Sequence, residues 1–396
     1  MWRGPPRRLL CFFLPLFGSN FVLQLHTPDW LTESVIQQAP LPLSSLRWTG
    51  GLANITFSEN TARRCSSTKT ATEPCAKKNR AESFHAAVMF GNQRVKSADA
   101  VAVPCIGFGT MPLCVCYPSE RPTLQDAASI IHSALDAGIR FFDTADSYCK
   151  DASDMHYGEK LLAKALSSYR DQSVVEKVVV ATKGGMIRPG GMWRPHCSPS
   201  HLTETMAAST KALERESIVL WQMHHFQEDR YRLEDSLAAV KEAVDAGRIR
   251  FVGLCNVSVQ QIERARRVVD IVSVQNQLSL WNRKPERDGV LEYCLREKLV
   301  FMPHGCLGGT PARKGNKSLN EFPTLLKLAN QKHISPQVLV LAYFKQKWPC
   351  ILHIPGARSS AHIQDCWSAC SVWLTSEEMK VMDSLGSQGR GKRMGR

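Results

Sequence analysis

From residue 105 onward, short apolar runs alternate with longer stretches in which apolar residues recur every three or four positions. Cys105 to Thr110 reads as a strand. Leu124, Ala127, Ala128, Ile131, Ala134 and Leu135 then form one face of a helix that Gly138 stops. The pattern continues with strand Ile139 to Thr144, helix Tyr157 to Leu166, strand Lys177 to Thr182, helix His201 to Glu214 and strand Ser217 to Met223. Leu233, Leu237, Val240 and Val244 place a stripe on a helix closed by Gly247. Four more strands, Ile249 to Leu254, Ile271 to Gln275, Leu299 to Pro303 and Cys350 to Ile354, have helical stretches between them. Continuously apolar strands that alternate with helices eight times predict a parallel sheet closed on itself, a (β/α)8 TIM barrel. An open dinucleotide-binding sheet is excluded on its own terms. Its first turn requires Gly-x-Gly-x-x-Gly, and Gly107 and Gly109 are followed by Pro112 in the third place.

The ends lack this pattern, which divides the chain into an extension over 1–100, a barrel over 101–386 and a basic tail over 387–396. Three arginines within Met1 to Arg8 precede an apolar run from Leu9 to Phe17. That run is too short to span a bilayer but suits a signal-peptide core, so no stable membrane insertion is expected. From Ser44 to about Ala100 the composition turns to Ser, Thr, Arg, Lys and Ala, as in a transit segment or a disordered extension. The two together resemble the bipartite leader of proteins sent to plastids of secondary origin; the alternative is a cytoplasmic protein with a disordered extension. Asn54, Asn256 and Asn316 each begin a glycosylation sequon, but Asn256 lies at the cofactor site argued below.

The formal charge of +14 raises the question of a nucleic-acid partner. Residues 1–100 carry an excess of six positive charges and the tail after Leu385 carries four, leaving only four for the barrel. The basicity is peripheral, and no nucleic-acid partner is expected. A hydrophobic share of 43% excludes disorder along the whole chain. Fourteen cysteines include no paired Cys-x-x-Cys frame, and Cys114 and Cys116 have the wrong spacing for a zinc knuckle. No metal site is expected, and a reducing compartment suits the folded domain.

Chemistry gathers where strands end. Asp143 and Tyr148 follow the second strand, Lys183 the third and His224 the fourth, on the face where barrels of this kind carry their sites. A carbonyl that accepts hydride needs a proton donor and stabilisation of developing charge. A nearby ammonium, Lys183, lowers the pKa of Tyr148 and makes it a better donor. Asp143 pairs with the buried lysine, and His224 orients the carbonyl oxygen.

Phe142-Asp143-Thr144-Ala145-Asp146-Ser147-Tyr148, Ala181-Thr182-Lys183-Gly184-Gly185, Trp221-Gln222-Met223-His224 and Ile354-Pro355-Gly356-Ala357-Arg358 together resemble the signature segments of the aldo-keto reductase family. The resemblance spans about residues 103 to 386 in family order, with bacterial and plant-type members the nearest in character. It implies a barrel binding NADPH across its C-terminal face, with Asp143, Tyr148, Lys183 and His224 as the tetrad and a small-molecule carbonyl as substrate. It further implies Asn256 and Gln275 on the nicotinamide carboxamide, His304 on the nicotinamide ring, Leu307 and Gly308 beside the pyrophosphate, Arg358 on the 2′-phosphate and Asp365 near the adenosine.

Three positions depart from the family pattern: Cys255 replaces a serine, His304 a stacking aromatic and Cys366 an asparagine. The loop from Cys149 to His156 is longer or altered, and Trp193 and Trp281 are candidate pocket walls. A monomer or weak homo-oligomer is expected. Two other readings compete. A nucleotide-binding regulatory module resembling the potassium-channel β subunits would keep the barrel and serve a partner. A barrel enzyme acting on phosphorylated sugars would use Gly305 to Gly309 for phosphate but leaves the Tyr, Lys and Asp unexplained.

Overall fold

The computed structural model describes residues 8–16, 19–27, 87–90, 101–115, 121–308 and 318–388. The chain divides into two units, Met1–Asn79 and Arg80–Arg396. In the first, the run read as a signal core forms strand Arg8–Leu16, paired antiparallel with Ser19–Thr27. The stretch read as transit-like, Ser44 to Ala100, lies outside the described residues except for 87–90, as does the tail over 389–396.

The second unit is the expected barrel. Its parallel strands are β1 (Phe108–Gly109), β2 (Phe141–Asp143), β3 (Val179–Gly184), β4 (Ile218–Met223), β5 (Ile249–Cys255), β6 (Ile271–Gln275) and β7 (Val300–Phe301), hydrogen-bonded in that order. The eighth stave, predicted as a full strand at Cys350 to Ile354, pairs through single bridges, Phe301 with Ile351 and Ile106 with His353. Those bridges, with Gly107 N donating to His353 O at 2.7 Å and Leu352 N to Phe301 O at 2.9 Å, join the two edges of the sheet. The seam is tight. A Cβ on Gly109 would lie 2.7 Å from Ile354 O, and one on Gly356 2.5 Å from Pro112 Cγ.

Helices α1 (Leu124–Ala137), α2 (Tyr157–Ser167), α3 (Pro199–Ala212), α4 (Leu233–Asp245), α5 (Val259–Ala265) and α6 (Val290–Arg296) follow successive strands. α7 (Pro323–Gln331), α8 (Pro336–Lys347), α9 (Ser360–Ser368) and α10 (Ser376–Gln388) complete the chain. The predicted stops hold: Gly138 and Gly247 take φ of +110° and +70°. α3 begins two residues before the predicted start, because Ser198 caps it through the backbone N–H of His201 and Pro199 occupies its first turn.

Alternation along the strands sorts the barrel interior into layers. Phe141, Val179, Leu220 and Phe251 make an apolar floor, with Ala181 one step above on β3. Two residues beyond Phe141 on β2, Ala181 on β3 and Leu220 on β4, the same inward positions are Asp143, Lys183 and Gln222, the last two in register with each other. The polar residues are thus delivered together at the C-terminal ends by the two-residue period that makes the floor apolar.

The barrel unit also begins earlier than residue 101. Ala87–Phe90 pairs antiparallel with Val101–Pro104, and Phe90, 1% exposed, stacks on Phe141 at 5.3 Å between ring centroids. Above the floor, the β2–α2 connection buries a second kind of group. Glu159 of α2 accepts from Thr182 Oγ1 at 2.5 Å and contacts His156 Nδ1 at 2.6 Å. Next to it the Asp146 carboxyl is fully buried. Burial, with Glu159 adding to it, pushes that carboxyl up to about 8, and His156 offsets only part of the rise.

Two predictions follow from this packing. Phe90→Ala removes the plug from the floor and should cost about 3–5 kcal/mol, read from denaturant unfolding of the whole chain; a loss under about 1 kcal/mol contradicts the packing. A carboxyl raised from its ordinary value near 3.8 to about 8 costs native stability progressively as pH climbs between those values. Asp146→Asn should therefore melt close to wild type near pH ~4 and above it at pH ~9 in thermal scans. An advantage confined to acid reverses the sign and contradicts the assignment.

Candidate active site

Lys183 is the hub. Its Nζ lies 2.5 Å from Asp143 Oδ1, 2.9 Å from Thr144 O and 2.8 Å from the Tyr148 hydroxyl, so all three ammonium donors are used. The side chain is fully buried, and burial alone would discharge it. The carboxylate of Asp143 and the Tyr148 oxygen outweigh that penalty and carry the ammonium above its ordinary range.

Asp143 is held in turn. Its second oxygen accepts from Gln275 Nε2 at 2.9 Å and Gln222 Nε2 at 3.2 Å, so both oxygens of the buried carboxylate are engaged. The sequence reading did not single out Gln222. A buried amide inside the otherwise apolar Ile218–Met223 run was the available signal. Gln275, assigned by resemblance to the nicotinamide carboxamide, commits its amide nitrogen to Asp143 and leaves Oε1 for any such contact.

Tyr148 is reached at the end of a tight turn in which its backbone N–H donates to Ala145 O at 3.2 Å. Burial raises its phenol above the ordinary value, and Lys183 cancels only part of the rise. The expected lowering by Lys183 is present but outweighed. The phenol is protonated at neutral pH, accepts from Lys183, and has its own proton left to give.

His224 follows β4, its backbone N–H donating to Gly184 O at 2.9 Å and its carbonyl accepting from Asn256 Nδ2 at 3.1 Å. Burial first, then the positive charge of Lys183, hold its imidazole well below the ordinary range, so it is neutral. Tyr148, His224 and Trp193 meet edge to face, with centroids 5.8 to 6.3 Å apart. Trp193 belongs to a hairpin, Met186–Ile187 with Arg194–Pro195, that follows β3. Arg188 covers its ring at 3.9 Å and donates through Nη2 to Lys150 O at 3.1 Å. That bond ties the hairpin to the altered Cys149 to His156 loop, whose Asp154 pairs with Arg121 at 2.7 Å. Trp193, 42% exposed, thus packs against Tyr148 and His224, whereas Trp281 stacks on Phe322 at 5.9 Å.

The residues assigned to the cofactor lie after strands five to eight. Asn256 is exposed in a left-handed conformation, φ +59°, and its Oδ1 contacts His304 Nε2 at 2.9 Å. The Cys255 thiol donates to Gln222 Oε1 at 4.0 Å, a long and weak contact, and burial pushes its pKa up. Leu307 packs on the core, and Gly308 takes φ of +104°, closing the turn with its N–H on Gly305 O. Arg358 is exposed in the loop entering α9, while Asp365 on α9 accepts from Ser335 Oγ at 2.6 Å and Cys366 is buried behind it. Among the described residues no cluster of His, Cys, Asp and Glu could hold a metal ion.

Comparison with known proteins follows the same strands. An "uncharacterized oxidoreductase" of Schizosaccharomyces pombe is 31% identical over 302 residues, 76% of this chain and 92% of that protein. A "probable aldo-keto reductase" of Glycine max is 26% identical over 298 residues, 69% of this chain and 83% of that protein. Among solved structures, an aldo/keto reductase from Klebsiella pneumoniae in complex with NADP and acetate aligns with a TM-score of 0.58 at 23% identity, covering 74% of this chain and 95% of that one. The profile of the Aldo/keto reductase family matches residues 105–387. That span contains every strand of the barrel and all four residues of the buried site, and the chain belongs to the aldo/keto reductase family.

Proposed function

We propose that this protein is an NADPH-dependent oxidoreductase that reduces aldehyde or ketone carbonyls to alcohols, with Tyr148 as the general acid. One observation carries the reading: a protonated Tyr148 hydroxyl accepts from the Lys183 ammonium while its ring meets His224 and Trp193. A phenol arranged in this way delivers its proton to an oxygen between itself and His224. As the proton leaves, the ammonium at 2.8 Å stabilises the phenolate left behind, and Asp143 keeps that ammonium charged. His224, neutral, contributes a hydrogen bond to the same oxygen rather than a charge. Trp193 and Arg188 exclude water from one side.

The residues around the strand ends fit a dinucleotide. Arg358, exposed in the loop entering α9, carries a guanidinium whose geometry suits a phosphate, the left-handed Gly308 turn lets backbone approach a pyrophosphate, and Asn256 and His304 lie hydrogen-bonded to each other after β5 and β7. Arg358, Asp365, Leu307 and Gly308 would hold the adenosine end, and Asn256, Gln275 and His304 the nicotinamide end. When bound, NADPH supplies the hydride that the carbonyl carbon accepts. Support also comes from the Klebsiella pneumoniae relative solved with NADP.

The test is NADPH oxidation by a panel of aldehydes. Tyr148→Phe should lose turnover by about 10²-fold or more, as expected for removing a general acid, and still bind NADPH by fluorescence. Full turnover in the variant contradicts the proton-donor role. NADPH binding by wild type with no turnover on any carbonyl favours the regulatory-module reading instead.

A further inference from the structure

The residue beside the proton donor has no role in the reaction as described so far. Ser147 is completely buried, and its Oγ lies 3.2 Å from Nδ1 of His224. The imidazole is fixed on every other side: its backbone by Gly184 and Asn256, and its ring edge-on to both Tyr148 and Trp193. Nε2 has no hydrogen-bond partner among the described residues and is the nitrogen left for the pocket. A neutral imidazole carries one N–H, and the bond made by one nitrogen decides which of the two holds it.

We propose that Ser147 is a positioning residue whose hydroxyl donates to His224 Nδ1 and thereby fixes the Nε2–H tautomer that meets the substrate oxygen. The inference rests on the carbonyl-reducing role proposed above, since a carbonyl oxygen only accepts and the nitrogen facing it must carry the hydrogen. Nδ1 is then a bare lone pair in a buried site, and Ser147 is the hydroxyl within reach. The opposite arrangement has Nδ1–H donating to Ser147 Oγ and the Ser147 proton passing to Asp146. It would turn a lone pair of Nε2 onto a lone pair of the substrate. The Ser147 side chain also reaches Asp146, but burial and Glu159 favour the protonated Asp146 carboxyl, a weaker acceptor for that proton than a carboxylate and itself a donor. The turn that presents Tyr148 therefore presents the group that sets His224 as well.

Nitrogen-15 NMR of histidine-labelled whole chain at neutral pH, free and with NADP, reads the tautomer directly, with the His224 signal identified by its loss in His224→Gln. Wild type should show a protonated Nε2 and a bare Nδ1. Ser147→Ala should mix the tautomers and lower kcat for an aldehyde about ten-fold, the scale of one lost hydrogen bond, with KM for NADPH unchanged. Ser147→Thr, which keeps the hydroxyl, should recover most of kcat. A wild-type Nδ1–H tautomer overturns the proposal, as does a Ser147→Ala protein with the wild-type tautomer and kcat. If Ser147→Ala does not fold, the wild-type tautomer and the Ser147→Thr kcat decide. If no carbonyl is reduced, the functional reading falls, while the wild-type tautomer still accepts or rejects the Ser147 assignment.

Discussion

A lysine ammonium with no access to water is the constraint around which this barrel is arranged. Lys183 is fully buried at the end of β3, and an uncompensated charge there would be among the most costly features a fold could carry. Asp143, Thr144 O and the Tyr148 hydroxyl each accept one hydrogen bond from it, and Gln222 and Gln275 donate to the remaining oxygen of Asp143. Six residues from β2, β3, β4, β6 and the turn after β2 must therefore be in register for one charge to be tolerated. The closed sheet provides that register, and the charge in turn makes the site intolerant of disorder. Preorganisation of this kind is what stabilises charge as it develops on a reacting oxygen.

Burial affects each member of the site differently, which separates their roles. Lys183 stays charged because its partners outweigh burial, Tyr148 stays protonated because they do not, and His224 is driven neutral by burial and by Lys183. A donor beside a fixed cation, with a neutral orienter opposite, suits proton delivery to an oxygen. Asp146 and Glu159 lie one layer behind, where the same burial makes a carboxyl hold its proton into the neutral range.

Much of this was legible in the residues. Apolar runs alternating with helical stripes gave the barrel, and the period of two that puts Phe141 inward also puts Asp143 inward. What was hidden depends on contacts between distant segments. The Ala87–Phe90 strand is four residues long in a stretch poor in apolar periodicity, and only its partner Val101–Pro104 and the stacking on Phe141 reveal it. The eighth stave pairs through single bridges, which no local pattern encodes. Gln222 was visible as a polar interruption but lacked a partner until β2 and β4 were brought together. Ser147 carries no local signal that sets it apart from its neighbours in the segment Phe142 to Tyr148. Only the return of β4 sets His224 against it. The family resemblance implies Asn256 and Gln275 as cofactor ligands, and only the folded barrel adds their bonds within the protein, to His224, His304 and Asp143.

In the proposed reaction the Lys183 ammonium holds Tyr148 in place and stabilises it as its proton leaves. Single-turnover oxidation of bound NADPH by an aldehyde in Lys183→Met tests this most directly, because methionine keeps most of the apolar stem and removes the ammonium with its three hydrogen bonds. A fall of about 10²-fold or more in the rate, with NADPH still bound, is predicted. A rate equal to wild type would contradict it.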